Sequence, residues 1–143
     1  MSLIDPTAIK TKPRANLIRL KDKAEVREAA ILTTGYVSSN EMDISSYNKA
    51  AVFFEVTKGS LTEVLIKVQQ SIDEGVTWFD APAEQVGLTE IVMGIPEYSR
   101  TLVGATERWF WVFAAMGQQM RVQIKGVGTV TSSECTLNIV GVY

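Results

Sequence analysis

Carboxylate pairs are the side chains of this sequence whose spacing could support hydrolysis. They are Asp73 and Glu74, Glu41 and Asp43, and Asp80 and Glu84. A glycosidase needs two carboxyl groups on either side of a cleft, one of which acts as the acid. Asp73 is accounted for by a turn, and Glu74 and Glu84 are typical of solvated loops. We therefore expect no catalytic residues and no enzymatic activity.

Histidine is absent from the 143 residues, and cysteine occurs once, as Cys135. This excludes Ser-His-Asp and Cys-His catalysis, zinc sites with histidine ligands, and an intrachain disulfide. Cys135 lies in an apolar run, so we expect a small buried side chain rather than a nucleophile. Glu41 and Asp43 offer oxygen ligands, but without a D-x-D-x-D-G loop they indicate a solvated turn rather than a calcium site. No cofactor or metal is expected.

A set of residues with the spelling S-x-D-x-G-x-T-W directly follows a long alternating strand. Its members are Ser71, Asp73, Gly75, Thr77 and Trp78. Asp73 can accept hydrogen bonds from backbone N–H groups of a turn, Gly75 can adopt a positive φ, and Trp78 can cover the turn. The spelling resembles the Asp-box, a hairpin-turn motif of sialidases, other propellers and several jelly-roll-like domains. Sialidases repeat the motif, whereas it occurs once here, so we interpret it as structural.

The composition is that of one ordinary globular domain. Hydrophobic residues make up 46% of the sequence and charged residues 21%, and the net charge is −2. These values argue against disorder and are sufficient for a sizeable core. There is no run of 18 apolar residues and no basic segment followed by an apolar leader. We therefore expect no membrane partner, and synthesis in the cytoplasm.

Residues 1–22 are predicted to form an extended N-terminal arm, because they contain Pro6 and Pro13 and few large apolar side chains. Residues 1–23 carry a net charge of +4, and the remaining 120 residues carry −6. This asymmetry indicates an arm that lies on an acidic neighbour, such as another copy of the chain. The acidic body would repel DNA, so no nucleic-acid partner is expected. The arm residues expected at an interface are Lys10, Lys12, Arg14, Leu17, Ile18, Arg19 and Leu20.

The segment after the arm has the local signals of a short helix. Asp22 and Glu25 have the D-x-x-E spacing of a capping box, and residues 23–30 are rich in Ala and Glu. The sequence therefore predicts one helix over residues 23–30, at the start of the folded domain.

From residue 31 onwards the pattern indicates β-strands. Residues 50–57 and 61–70 alternate apolar and polar positions on either side of Lys58-Gly59-Ser60, which predicts an antiparallel hairpin. Other strands are predicted over residues 41–45, 88–93, 98–103, 108–115, 120–125 and 135–143. About eight strands, at most one short helix and no internal repeat favour an all-β fold. We expect an antiparallel β-sandwich or jelly-roll over residues 23–143.

Residues 108–115 are apolar on both faces of the predicted strand. Trp109, Trp111 and Phe113 share one face, and Phe110 lies on the other. A strand that is apolar on both faces is buried on both, so one face is expected to meet a partner subunit. Trp109, Phe110 and Trp111 are therefore candidate interface residues. Aromatic side chains can also stack on sugar rings, but their alternation along strands favours packing in the core.

Taken together, the chain resembles the small β-sandwich structural proteins of tailed bacteriophages. The resemblance rests on the Pro-containing arm, the run AAVFFEVTKGSLTEVLIKVQQSIDEGVTWFD over residues 50–80, and the closing strands MRVQIKGVG and TLNIVGVY. Similar layouts occur in capsid decoration (cement) proteins and in neck, tail and baseplate modules. Capsid decoration proteins of this kind are small, lack active sites, form trimers at lattice junctions and clasp their neighbours with extended arms.

The resemblance implies a non-enzymatic virion protein that stabilises a phage head by bridging neighbouring capsomers. It also implies a homotrimer, a partner that is the major capsid protein or another virion protein, and a location on the virion after synthesis in the host cytoplasm. Two alternatives stay open. One is a carbohydrate- or receptor-binding module of a phage tail, which exposed aromatic side chains on a flat face or in a cleft would favour. The other is a neck, tail or baseplate connector of the same fold.

Overall fold

Ten β-strands build the part of the chain that the computed structural model describes, residues 21–83 and 97–143. They are β1 (Lys21–Ala30), β2 (Val37–Ser38), β3 (Met42–Asp43), β4 (Lys49–Thr57), β5 (Leu61–Ser71), β6 (Phe79–Asp80), β7 (Tyr98–Thr101), β8 (Thr106–Ala114), β9 (Gln119–Gly128) and β10 (Glu134–Val142). A helix able to cross a membrane is not found in these residues. The all-β prediction is confirmed, and the strand count exceeds eight because β1 was not predicted as a strand and β2 and β6 are additional two-residue pairings.

The strands form two antiparallel sheets that pack face to face. The four-stranded sheet has the order β1-β10-β4-β8, and the six-stranded sheet has the order β2-β9-β5-β6, with β3 also paired to β9 and β7 to β5. Buried and less buried residues alternate along β4, β9 and β10, as the two-residue period of a strand requires. Inward residues of both sheets, such as Phe54, Leu137, Ile66 and Val122, share one core. The predicted sandwich is confirmed.

The expected hairpin between residues 50–57 and 61–70 is wrong. β4 pairs with β8 and β10 in the four-stranded sheet, whereas β5 pairs with β7 and β9 in the six-stranded sheet. The turn at residues 58–60, with Gly59 at a φ of +56°, carries the chain from one sheet to the other. Crossing over lets the apolar sides of β4 and β5 face each other across the core, which a hairpin in one sheet would not.

The helix expected over residues 23–30 is also wrong, because β1 occupies this stretch. An isolated helix of eight residues is marginal in water even with good helix formers. As a strand, the segment pairs with β10 along its length and places Val26 in the core at 2% exposure. The Arg27 guanidinium donates hydrogen bonds to three carbonyl groups at the end of the strand, those of Ala30, Ile31 and Cys135. Tertiary pairing therefore outweighs the local helix signal.

The predicted arm lies almost entirely outside the described residues. Its interface candidates Lys10, Lys12, Arg14, Leu17, Ile18, Arg19 and Leu20 belong to residues 1–20, and the strand expected over residues 88–93 is likewise outside. Lys21 and Asp22, part of the predicted arm, are instead the first two residues of β1. The Asp22 carboxylate accepts hydrogen bonds from the hydroxyls of Tyr47 at 2.7 Å and Tyr143 at 3.2 Å. The chain therefore joins the sandwich at a fixed point.

Candidate interaction surfaces

The S-x-D-x-G-x-T-W turn joins β5 to β6, which pair as a short antiparallel hairpin. The Asp73 carboxylate accepts hydrogen bonds from the Thr77 N–H and the Ser71 hydroxyl, both at 2.8 Å. The Ser71 oxygen accepts from the Gly75 N–H at 2.8 Å, and the Trp78 indole donates to the Gly75 carbonyl at 3.0 Å. The bond from the Thr77 N–H leads in holding the pKa of Asp73 below its usual range. The polar side chains of this turn are thus occupied in holding the loop.

Replacing Gly75 with alanine is expected to lower the free energy of unfolding by about 1 kcal/mol or more. Gly75 has a φ of +88°, and an added Cβ would lie 3.0 Å from Oε1 of Gln119 and 3.1 Å from Oε1 of Glu41. Urea denaturation of the purified variant measures the change. Gly35→Ala is the matched control, because its Cβ would meet no atom within 4 Å and its φ is not positive. Equal denaturation midpoints for the two variants would contradict this account of the turn.

The three interface candidates of β8 point to opposite sides of the four-stranded sheet. Trp109 stacks on the buried Phe54 with ring centroids 4.8 Å apart, and Trp111 meets the same ring edge-on at 5.1 Å. Both indoles therefore extend the core and are half-buried. Phe110 points the other way and is 55% exposed. Of the three, Phe110 is the side chain that the outer surface presents.

An exposed apolar surface surrounds Phe110 on the outside of the four-stranded sheet. Phe110 stacks on Phe53 of the neighbouring strand with ring centroids 4.8 Å apart and an interplanar angle of 18°, and Phe53 is 40% exposed. In the adjacent row, Ala51 lies between Val112 and Val140. We call these five residues the apolar face. Phe53 and Phe110 are exposed and the other three are partly exposed, and a contiguous apolar patch of this kind can mark an interaction site.

The border of the apolar face is polar, and its two charged side chains form an ion pair with each other. The Arg108 guanidinium donates to the Glu55 carboxylate at 2.6 Å, in the row next to the two phenyl rings. A shallow depression of about 380 Å³ lies between this ion pair, Asn138 and the rings. Among the described residues, β8 is also the outermost strand of its sheet. An apolar face that reaches a sheet edge can take a partner both by side-chain burial and by backbone pairing.

The outer face of the six-stranded sheet has the opposite character. Arg121 lies over the Trp78 ring at 4.3 Å from its centroid and donates to the Gln69 amide at 2.9 Å. Gln69 in turn donates to Asp80 at 2.9 Å, and the Gln123 amide donates to the Ser38 hydroxyl at 3.0 Å. These side chains form a hydrogen-bonded polar surface suited to water. The two outer faces of the sandwich therefore differ in kind.

A second apolar surface lies at one end of the sandwich, where the sheets meet. Ile72, Phe79, Pro82 and Met116 line a cleft of about 400 Å³, which we call the end cleft. Ile72 is 63% exposed and Met116 83% exposed, which is unusual for side chains of this size. The other lining residues are Gln70, Asp80, Ala81, Ala114 and Gly117.

The end cleft has a fixed floor, which the buried Gln70 amide builds. Its nitrogen donates to the Ala114 carbonyl at 2.7 Å, and its oxygen accepts from the N–H groups of Met116 at 3.0 Å and Gly117 at 2.7 Å. One side chain of β5 thus holds the loop after β8 in place. The cleft is therefore preformed rather than created by a partner.

The residues with catalytic or metal-binding potential are dispersed or engaged elsewhere. The Asp43 carboxylate accepts hydrogen bonds from the Ser45 hydroxyl and, to smaller effect, from the Ser45 backbone N–H, and these bonds lower the pKa of Asp43. Burial raises the pKa of the Cys135 thiol to about 12, so it is a poor nucleophile at neutral pH. Within residues 21–83 and 97–143, no group of three or more acidic, Cys or His side chains could hold a metal ion. Glu84 lies outside these residues.

Sequence reasoning named Trp109, Phe110 and Trp111 together as interface candidates, without saying which of them point outwards, and missed Phe53 and the end cleft. Phe53 is outward in the alternation of β4, and the signal for it was available, since Ala51 and Phe53 share a face of that strand. Its stacking on Phe110 depends on the register between β4 and β8, which the sequence does not state. The end cleft joins Ile72 and Met116, which are distant in the chain, and no local pattern connects them.

Comparisons with known proteins identify a fold and no family. No family model matches the chain, and no curated protein matches it. Among solved structures, the chain is similar to the SPBc2 prophage-derived protein YomS, with a TM-score of 0.54 and 16% identity over 86% of this chain and 93% of that one. This likeness shows a shared β-sandwich fold.

Two further solved structures are less similar to this chain. One is from work on Bacillus endospore appendages, described as disulfide-linked pili, with a TM-score of 0.46 and 16% identity over 85% of this chain and 86% of that one. The other is a carbohydrate-binding module described as CBM4, with a TM-score of 0.40 and 7% identity over 85% of this chain and 82% of that one.

Proposed function

We propose that the chain is a non-enzymatic structural protein of a tailed-phage particle, and specifically a capsid decoration protein that bridges neighbouring capsomers. The observation that carries this proposal is the apolar face, on which Phe53 and Phe110 lie exposed and stacked on a regular sheet. Burial of aromatic and aliphatic side chains is the main favourable term in protein association. The surface of a partner protein is therefore the environment that suits this face.

The chemistry of the apolar face favours a protein partner over a sugar. A sugar-binding surface needs hydrogen-bonding groups placed around its stacking rings. Here the neighbours of the two phenyl rings include aliphatic side chains, and the nearby Glu55 and Arg108 are paired with each other. The tryptophans that could stack on a sugar are half-buried, with Trp109 packed on Phe54 and Trp78 covered by Arg121.

The partners that fit the proposal are other virion proteins and further copies of the chain. A homotrimer at a lattice junction would attach to the major capsid protein through several equivalent faces, which raises avidity without strong single contacts. The fold likeness to a prophage-derived protein supports a phage origin. The protein would be made in the host cytoplasm and act on the virion, with neither nucleic acid nor membrane as its partner.

Analysis of purified particles tests the proposal. Heads and tails of the phage that encodes the chain are separated by centrifugation and examined by mass spectrometry. Particles that lack the protein are then mixed with purified protein and sedimented. We expect the protein in the head fraction and rebinding to the deficient heads. Recovery in the tail fraction would indicate the connector alternative, and absence from both fractions would overturn the proposal.

A further inference from the structure

We infer that the end cleft binds residues 17–20 of a second copy of the chain. The inference rests on the proposed function, because it assumes that copies of the chain assemble. It specifies the contact that would join two copies. The segment reads Leu-Ile-Arg-Leu, and it directly precedes Lys21, the first residue of β1. Residues 1–16 have few large apolar side chains. Residues 17–20 are therefore the part of the arm that would bind an apolar cleft.

The described residues, 21–83 and 97–143, leave the end cleft as an uncovered apolar site. Ile72, Phe79 and Met116 remain largely exposed around it. Solvation of three such side chains at one place is unfavourable, and an apolar ligand would remove them from water. Because Gln70 fixes the floor, little conformational entropy would be lost on binding.

Lys21, the first described residue, lies at the end of the sandwich that carries the cleft. Lys21 pairs with Val142, Val142 with Lys49, and Lys49 with Ala114, so these four residues form the last row of the four-stranded sheet. Ala114 lines the cleft. The attachment point of the arm and the cleft therefore lie at opposite edges of one row.

The distance across this row keeps residues 17–20 from filling the cleft of the same copy. Three strand spacings separate Lys21 from Ala114, about 14 Å, and the far wall of the cleft belongs to the other sheet, about 10 Å further away. An extended chain covers at most about 3.6 Å per residue, so the four residues before Lys21 span about 14 Å, which brings them to the near edge of the cleft at Ala114 and not to its far wall. The segment is therefore too short to fill its own cleft, whereas the segment of a neighbouring copy can fill it.

Charge complementarity supports the same pairing. Asp80 lines the cleft and is the acidic residue among its lining side chains. The arm is basic, with Arg19 inside the apolar segment and Arg14 a few residues before it. A basic segment with apolar side chains therefore matches an apolar cleft that carries one carboxylate.

The contact is heterologous, because the arm of one copy meets the cleft of the next. Such head-to-tail contacts either close into a ring or continue as a filament. In a closed ring of three copies, every cleft would bind the arm of a neighbouring copy, in agreement with the proposed homotrimer. Exchange of arms would also make each copy hold its neighbour on the particle.

Disulfide trapping between two differently labelled copies tests the inference. Untagged protein with Ile18→Cys is mixed with protein that carries Met116→Cys and a large affinity tag, oxidised with copper phenanthroline, and run on a non-reducing denaturing gel. We expect a product whose mass is the sum of the tagged and untagged chains, which differs from the mass of a dimer of two like copies. The control replaces Met116→Cys by Val103→Cys, which is equally exposed at 83% but precedes β8 at the other end of the sandwich, and should give at least ten-fold less product. The native Cys135 is buried and should not react.

Three outcomes decide the question. Equal yields at positions 103 and 116 would overturn the inference, as would the absence of product at both. In a chain that carries Ile18→Cys and Met116→Cys together, an intrachain product would show that the arm folds back on its own copy and would also overturn it. The experiment needs no phage particle, so cross-linking with no particle binding would leave the inference standing and remove the proposed function.

Discussion

Replacing Phe110 with lysine is expected to weaken binding of the protein to phage particles by about 30-fold or more. A hot-spot side chain of an interface contributes about 2 kcal/mol or more, and each 1.4 kcal/mol is a factor of ten in affinity. Phe110 is the most exposed side chain of the apolar face and stacks on Phe53. Lysine is well tolerated on an exposed strand at a sheet edge, so the free energy of unfolding should change little. Titration of labelled protein onto deficient particles measures the affinity, and urea denaturation measures the stability.

Val103→Lys is the matched control for Phe110→Lys. Val103 is a large exposed apolar residue at 83% exposure, but it lies in the loop before β8 and outside the apolar face. We expect wild-type binding from this variant. If Phe110→Lys binds as tightly as Val103→Lys, the apolar face is not the attachment surface.

Replacing Phe54 with alanine is expected to lower the free energy of unfolding by about 3–5 kcal/mol, a large share of the stability of a small domain. Phe54 is 2% exposed, stacks on Trp109 and meets the edge of Trp111. Its loss would leave a cavity in the core and remove the support beneath both indoles. The two tryptophans should therefore report the change by fluorescence, alongside a lower urea midpoint.

Phe53→Ala provides an internal comparison for Phe54→Ala. The two residues are neighbours of the same type, but Phe53 points outwards on the apolar face at 40% exposure. Its replacement removes one exposed ring contact, so we expect a loss of about 1 kcal/mol or less. Similar losses in the free energy of unfolding for both variants would contradict the assignment of Phe54 to the inner face of β4 and Phe53 to its outer face.

Strand positions could be predicted from the sequence, because a two-residue alternation is a local property. The strand expected over residues 108–115 is observed at Thr106–Ala114, and the one over residues 135–143 at Glu134–Val142. Strand partners could not be predicted in the same way. Residues 50–57 and 61–70 have every local feature of a hairpin, yet β4 and β5 belong to different sheets.

The region after the arm shows the limit of local propensity. Residues 23–30 have helix formers and a capping-box spacing, but β10 offers a backbone partner along the whole of this stretch. Pairing with the open edge of β10 stabilises these residues more than a short helix would. Such a helix could bury only one large apolar side chain, that of Val26. That comparison needs knowledge of β10, which lies more than 100 residues away.

The candidate surfaces show the same difference between features that follow from a local pattern and features that depend on long-range packing. Phe110 could be named as a candidate interface residue together with Trp109 and Trp111, because their strand is apolar on both faces. The direction of Trp109 and Trp111 towards the core followed from the same alternation once the inner face was known. The end cleft could not be predicted, because it forms where the turn after β5 meets the loop after β8. Only the packing of the two sheets brings these segments together.

A cryo-electron-microscopy reconstruction of the intact particle tests the central claim most directly, since it shows which surface of the sandwich meets a neighbour. We predict that the sandwich lies on the head and that Phe53 and Phe110 are buried against another protein. A reconstruction in which the sandwich attaches through the polar face around Arg121 and Gln123, with both phenyl rings open to solvent, would contradict the account.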